Sequence, residues 1–175
     1  MTRQGAEVKP GHIVTRAERT LAVTDWLLAA AHDRHRADAE WRDLGVTLLR
    51  CGGIFSVVGI PADIVHGAAG TAEPDTVDAF LHQALHGGPV FVGASWRHYY
   101  ALAPASTARY WQGRGVACHG IGACIGVPRP GRLRGDVRPG SPGWCVEMDH
   151  PGALCEPKAV AHLIAVCRAR TGDGE

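Results

Sequence analysis

Apolar residues recur along the chain in two rhythms. Val23, Trp26, Leu27 and Ala30 fall at i, i+3, i+4 and i+7, the spacing of one buried helical face, which predicts a helix from about Thr20. Beyond Ala31 the run His32-Asp33-Arg34-His35-Arg36 is fully polar, so the helix either continues solvated to Trp41 or breaks and restarts. Two apolar runs follow, Val46 to Leu49 and Ile54 to Ile60, separated by Cys51-Gly52-Gly53. The second is rich in β-branched residues and apolar on both faces, as for a central strand covered on each side. Pro61 and Pro74 stand where a first helical turn tolerates proline. Each predicts a helix, the second with the stripe Val77, Phe80, Leu81, Ala84 and Leu85, ended by Gly87-Gly88.

Pro89 to Ala94 and Arg97 to Ala103 read as a hairpin turning at Ser95-Trp96. Alternation places His98, Tyr100 and Leu102 on one face and Tyr99 and Ala101 on the other. A short helical turn over Pro104 to Trp111, a strand at Ala123 to Val127, an exposed Pro-, Gly- and Arg-rich loop over 128–143 and a strand from Trp144 to Met148 come next. Pro157 opens a last helix whose Val160, Leu163, Ile164 and Cys167 share a face. This order predicts a single α+β domain over residues 13–170, with a mixed or antiparallel sheet of about five strands and helices mostly on one face. A disordered tail at 1–12 and a frayed end at 171–175 flank it.

Composition narrows the picture. At 175 residues and 46% apolar, the chain buries a core without staples. A net charge of +1 gives no global pull toward nucleic acid or an anionic membrane. There is no run of eighteen apolar residues, and Met1 to Lys9 is polar, so neither a membrane span nor a signal peptide is expected. Six cysteines without an export signal read as reduced thiols of a cytoplasmic protein. Among lysines only Lys9 and Lys158 occur, an arginine bias typical of a GC-rich genome.

Three sets of residues carry possible chemistry. Cys118, His119 and Cys124 form one Cys/His group and Cys145, His150 and Cys155 another; thiolate and imidazole are the ligands zinc prefers. Neither group has the two-residue knuckle spacing, and free cysteine also serves as a small buried hydrophobe. Glu147 and Asp149 would share a face if Trp144 to Asp149 is a strand, the way enzymes hold magnesium for phosphoryl transfer. The third set is cationic. Arg109, Arg114, Arg129, Arg132, Arg134 and Arg138 face Asp136 alone within 109–138, with Tyr99, Tyr110 and Trp111 near in sequence. Guanidinium groups pair with phosphates and aromatic rings stack on bases, which points to anion or nucleic-acid binding. A Walker A loop, a dinucleotide glycine fingerprint, a Gly-x-Ser-x-Gly elbow and a His-Glu-x-x-His are all missing from the sequence.

From Arg50 to Pro61 (RCGGIFSVVGIP), and again at Gly88-Pro89-Val90, Tyr99 to Pro104 and Val127-Pro128-Arg129-Pro130, the chain resembles actinobacterial, Streptomyces-like proteins. These in turn resemble the N-terminal domain of bifunctional DNA primase/polymerases. The resemblance spans roughly residues 41–165 and implies an RRM-like sheet, divalent metal on an Asp-x-Asp or Asp-x-Glu pair, and a nucleotide-contacting Ser-x-His. No Ser-x-His occurs, Asp38-Ala39-Glu40 sits in a solvated helical run, and Glu147-x-Asp149 comes late, so no catalytic residue carries over.

The expectation is a non-catalytic cytoplasmic module, without a cofactor, that binds nucleic acid or a protein through the arginine segment and its aromatic neighbours. Its rivals are a divalent-metal phosphoryl- or nucleotidyl-transfer enzyme of degenerate primase-polymerase type, using Glu147 and Asp149, and a zinc-stapled interaction domain.

Overall fold

Thr15 and Asp33 decide where the first helices begin. In the computed structural model, which describes residues 13–172, Thr15 and Glu18 form a reciprocal capping box that opens α1 (Arg16–Leu28), a turn earlier than the apolar stripe alone predicts. The chain breaks after Ala29. Asp33 then caps α2 (Arg34–Leu44) by accepting from the Arg36 N–H at 3.0 Å, so the polar run is a restart. Gly45, at φ 74°, ends α2 in the left-handed conformation.

β1 (Val46–Arg50) pairs antiparallel with β6 (Cys124–Pro128) in a two-stranded ribbon. β2 (Phe55–Pro61) is buried from Phe55 to Ile60 and lies inside a five-stranded sheet of order β5-β2-β4-β3-β7, every neighbour antiparallel. Its other members are β3 (Val90–Val92), β4 (His98–Pro104), β5 (Ala117–His119) and β7 (Gly143–Val146). The helices α3 (Ala62–Ala69), α4 (Pro74–Ala84), the single turn α5 (Thr107–Tyr110) and α6 (Pro157–Thr171) complete the fold. The β3–β4 connection carries Ser95 and Trp96 at φ 66° and 56°, the left-handed pair that matches hairpin twist.

Strand alternation divides the core in two. Val58, Ile60, Val90, Val92, Tyr99 and Ala101 pack against Val65, Val77, Leu81 and Leu163 of α3, α4 and α6. Phe55, Val57, Phe91, Leu102 and Trp144 meet Val23, Leu27, Trp41, Leu49 and Val127 of α1, α2 and the ribbon. The domain is thus a single α+β fold with a five-stranded sheet, as the hydropathy pattern predicts, and both sheet faces are covered. Among the described residues, no helix is long and apolar enough to cross a membrane. The segment 1–12 lies outside the described residues, as does 173–175, while α6 runs on to Thr171.

The stretch 128–143 departs from a simple exposed loop. Pro128, Pro130 and Arg134 are buried, and Leu133 forms a parallel bridge with Trp144. The strand predicted over Trp144 to Met148 stops at Val146, so Glu147 and Asp149 follow the strand and do not share one of its faces.

Candidate functional site

The six arginines of 109–138 do not form one surface. The Arg134 side chain is only 2% exposed. Its Nε and Nη2 donate to the Asp78 carboxylate, Nη2 also donates to the Pro74 carbonyl, and Nη1 donates to the Tyr99 hydroxyl at 2.8 Å. The guanidinium also lies 5.4 Å from the Trp96 ring centroid and 5.6 Å from that of Tyr99. Arg134 and Tyr99, expected at a binding surface, are therefore core residues: each satisfies the other, and neither is free to meet a phosphate or a base.

The chain of donors continues. Arg134 donates to the Tyr99 oxygen, which leaves the phenolic hydrogen free to point at His66 Nε2, 3.0 Å away. That arrangement calls for a neutral imidazole, and burial, with Arg134 adding to it, holds His66 below its ordinary value of 6.5. A histidine kept neutral by folding takes up its proton more readily in the unfolded chain, so its contribution is present above about pH 6.5 and is lost as pH falls. Urea unfolding at about pH 8 and pH 5 should show lower stability in acid, and His66→Gln should remove part of that difference.

The remaining arginines separate. Arg129 and Arg132 line a groove with Arg16 and Arg42, between α1, α2 and the 129–132 turn, where Arg132 donates to the Pro142 carbonyl at 3.1 Å. Arg138 is exposed on the loop before β7, and Arg109 is exposed on α5. Arg114 and Trp111 line a different depression, described below.

Glu147 and Asp149 do border a cleft, with His82, His86 and His150 in its walls. Both carboxylates are already engaged by α1. Glu147 accepts from Arg16 at 3.2 Å and from the Gly131 N–H at 2.9 Å, and Asp149 accepts from Arg19 at 3.2 Å. Among the described residues, no three His, Cys, Asp or Glu side chains converge to hold a metal ion. Cys118 and His119 are consecutive on β5, Cys124 opens β6, and Cys145 lies on β7 beside Asp78. His150 is exposed, and Cys155 is buried with its thiol toward the Pro89 carbonyl. All six cysteines are free thiols. Burial pushes Cys118 up to about 11 and Cys155 to about 12, which keeps both protonated and poorly nucleophilic.

A groove of about 780 Å³ runs between the end of β4, α5, the 111–114 segment and α6. Its α6 wall is Ala161, Ala165 and Ala169, at i, i+4 and i+8, with Ile164 beside them. The opposite wall is aromatic. Trp111 donates its indole N–H to the Val116 carbonyl at 2.8 Å, and Gly113 lies so close that a Cβ there would stand 2.5 Å from the ring. Tyr110 is 72% exposed at the mouth. Arg114, Lys158 and Arg168 are the charged lining residues, with no carboxylate among them, and Arg168 donates to the Arg114 carbonyl. Thr107, at the start of α5, is 6% exposed, and its Oγ1 has no hydrogen-bond partner. Among the described residues it is the one buried side-chain polar atom left unpaired.

Arg114 and Trp111 carry a sequence signal, as part of the arginine and aromatic segment. Lys158, Arg168 and Thr107 carry none, because they come to line one groove only where the fold sets α6 across from α5. The alanine face of α6 is a sequence-visible period of four, masked by the stronger stripe of Val160, Leu163, Ile164 and Cys167.

Fold and groove together define an antiparallel α+β domain bearing an apolar depression rimmed by cations. In comparisons with known proteins, no family model, no curated protein and no solved structure matches the chain.

Proposed function

We propose that the protein is a non-catalytic cytoplasmic module that binds a partner in the groove between α5 and α6. The observation that carries this reading is the lining itself: alanine, isoleucine and aromatic walls with three cations and no acid. Apolar walls supply burial, and Arg114, Lys158 and Arg168 select an anionic group. Arg109, exposed on α5, precedes the lining residue Tyr110 in the chain but does not itself line the groove.

The reading keeps Arg114 and Trp111 from the arginine segment and leaves out Arg109, Arg129, Arg132 and Arg138. Nucleic acid is the less favoured occupant, since the groove is mostly apolar and the aromatic residues of the sheet are enclosed in the core. Kinship to the primase/polymerase domain enters this proposal as a relation of fold only. Phosphoryl transfer at Glu147 and Asp149 is less favoured because a metal would have to displace Arg16 and Arg19 from both carboxylates. A zinc staple is less favoured because the two Cys/His groups do not close around one point.

Titration with 8-anilinonaphthalene-1-sulfonate, an apolar aromatic anion, tests the groove. We expect one bound probe per chain with blue-shifted emission, and affinity lowered about tenfold in Ala165→Trp, which fills the groove from the exposed face of α6. A 20-nucleotide single strand of DNA, titrated across a salt series, should bind more weakly than the probe at moderate salt. Unchanged probe affinity in Ala165→Trp, with unchanged circular dichroism, would refute the proposal.

A further inference from the structure

Resting on that reading, we infer that the groove is a docking site for an acidic amphipathic helix of another protein, laid along α6. Ala161, Ala165 and Ala169 are all exposed and leave a row of methyl groups along α6, a shallow furrow that takes the side-chain ridge of a second helix. Trp111, held by its bond to the Val116 carbonyl, and Tyr110, exposed at the mouth, give that helix a second apolar wall. An extended segment suits the groove less. Strand addition needs a sheet edge, whereas the backbone polar groups of α6 are used within the helix. A bilayer suits it less as well, since a flat surface meets the rim of a groove and leaves its floor uncovered.

Charge names the partner. Lys158 and Arg168 stand ten residues apart on α6, about 15 Å along its axis. Arg168 donates to the Arg114 carbonyl, so the Arg114 backbone lies at the Arg168 end. Cations at both ends of a slot match two acids on one face of a helix, where residues about eleven apart return to the same side after about three turns and recover nearly the same span. Arg16, Arg19, Arg34, Arg36, Arg42 and Arg134 each pair with a carboxylate of this chain. Among the described residues, no acid pairs with Arg114, Lys158 or Arg168. A second copy of the chain does not supply one. Two α6 faces packed antiparallel about a two-fold axis would set Lys158 of each copy toward Arg168 of the other, cation against cation.

Fluorescence anisotropy with the full chain and labelled, alanine-rich peptides of about eighteen residues, long enough to form helix in water, tests this. The acidic peptide carries leucines along one face and two glutamates about eleven residues apart beside them. A second peptide has lysines in place of the glutamates, and a third has a central proline. The acidic peptide should bind one per chain, about tenfold more tightly than either of the others, and more weakly as salt rises. Ala165→Trp, Lys158→Glu and Arg168→Glu should each lower its affinity about tenfold with unchanged circular dichroism. Lys158→Glu should regain affinity for a peptide in which one of the two glutamates is lysine, and which one gives the direction of the helix. Failure of the acidic peptide to bind at about 100 micromolar, equal binding of the lysine or proline peptide, or no recovery in the charge exchange overturns the inference. So does a dimer in sedimentation that Ala165→Trp dissociates, which would name the second copy. If 8-anilinonaphthalene-1-sulfonate binds, loses affinity in Ala165→Trp and is displaced by phosphatidylserine vesicles or the DNA strand but not by the acidic peptide, the partner class is wrong and the binding module stands. If Ala165→Trp alters neither probe nor peptide, both readings fall.

Discussion

Replacing Arg134 by Met is expected to lower stability by about 3 kcal/mol, measured by urea unfolding at neutral pH. The Arg134 side chain is 2% exposed and the Asp78 side chain 22%, so removing the guanidinium strands a largely desolvated carboxylate. The Tyr99 hydroxyl and the Pro74 carbonyl lose a donor at the same time. Burial already pushes the Asp78 carboxyl above the usual carboxylate range, with Arg134 opposing. Without Arg134 the carboxyl rises further, so the deficit should narrow as pH falls and Asp78 takes up a proton. The double variant Arg134→Met/Asp78→Leu should recover most of the loss, because an apolar pair of similar volume does not need the ionic one. Arg138→Ala, on the exposed part of the same segment, should change stability by no more than about 0.5 kcal/mol. Equal effects at Arg134 and Arg138 would contradict the burial of the first.

Trp144→Ala is expected to cost about 3–5 kcal/mol, also by urea unfolding. Trp144 is 2% exposed and meets Phe91 edge to face at 5.4 Å between centroids. Its indole N–H donates to the carbonyls of Pro128 and Arg129, both at 3.1 Å. Truncation therefore opens a cavity between the sheet and α1 and also frees the turn that carries Arg129 and Arg132. Faster tryptic cleavage after Arg132, whose following residue is Leu133, should accompany the loss of stability. A variant that keeps wild-type proteolysis would show that the turn is held by something other than the indole.

These two residues also mark the boundary of what the sequence discloses. The helix faces of α4 and α6, the two-sided burial of β2 and the β3–β4 hairpin follow from periodicity, because each depends on neighbours a few positions away. The capping residues Thr15 and Asp33 set the first helix boundaries just as locally, although an apolar stripe alone places α1 a turn late. Arg134 was not legible as a core residue. Proline, glycine and arginine around it have the composition of a solvated loop, and only the approach of Asp78, Tyr99 and Trp96 from α4, β4 and the hairpin turn makes a guanidinium stable inside. Glu147 and Asp149 read as an open metal pair for a related reason: nothing in their own segment shows that Arg16 and Arg19 lie across from them.

The groove divides the same way. Arg114 and Trp111 stand in a segment whose charge is visible on inspection, whereas Thr107, Lys158 and Arg168 acquire significance only where α6 lies beside α5. By itself, then, the order of residues determined most of the secondary elements, the α+β class with about five strands and the absence of the familiar nucleotide and hydrolase motifs, while the antiparallel pairing came from the structure. Tertiary structure alone decided which cations are buried, which acids are neutralised and where an apolar slot remains open. The reason is physical: backbone pattern depends on contacts between near neighbours in the chain, while the protonation, pairing and exposure of a side chain depend on whatever distant residues the packing brings against it.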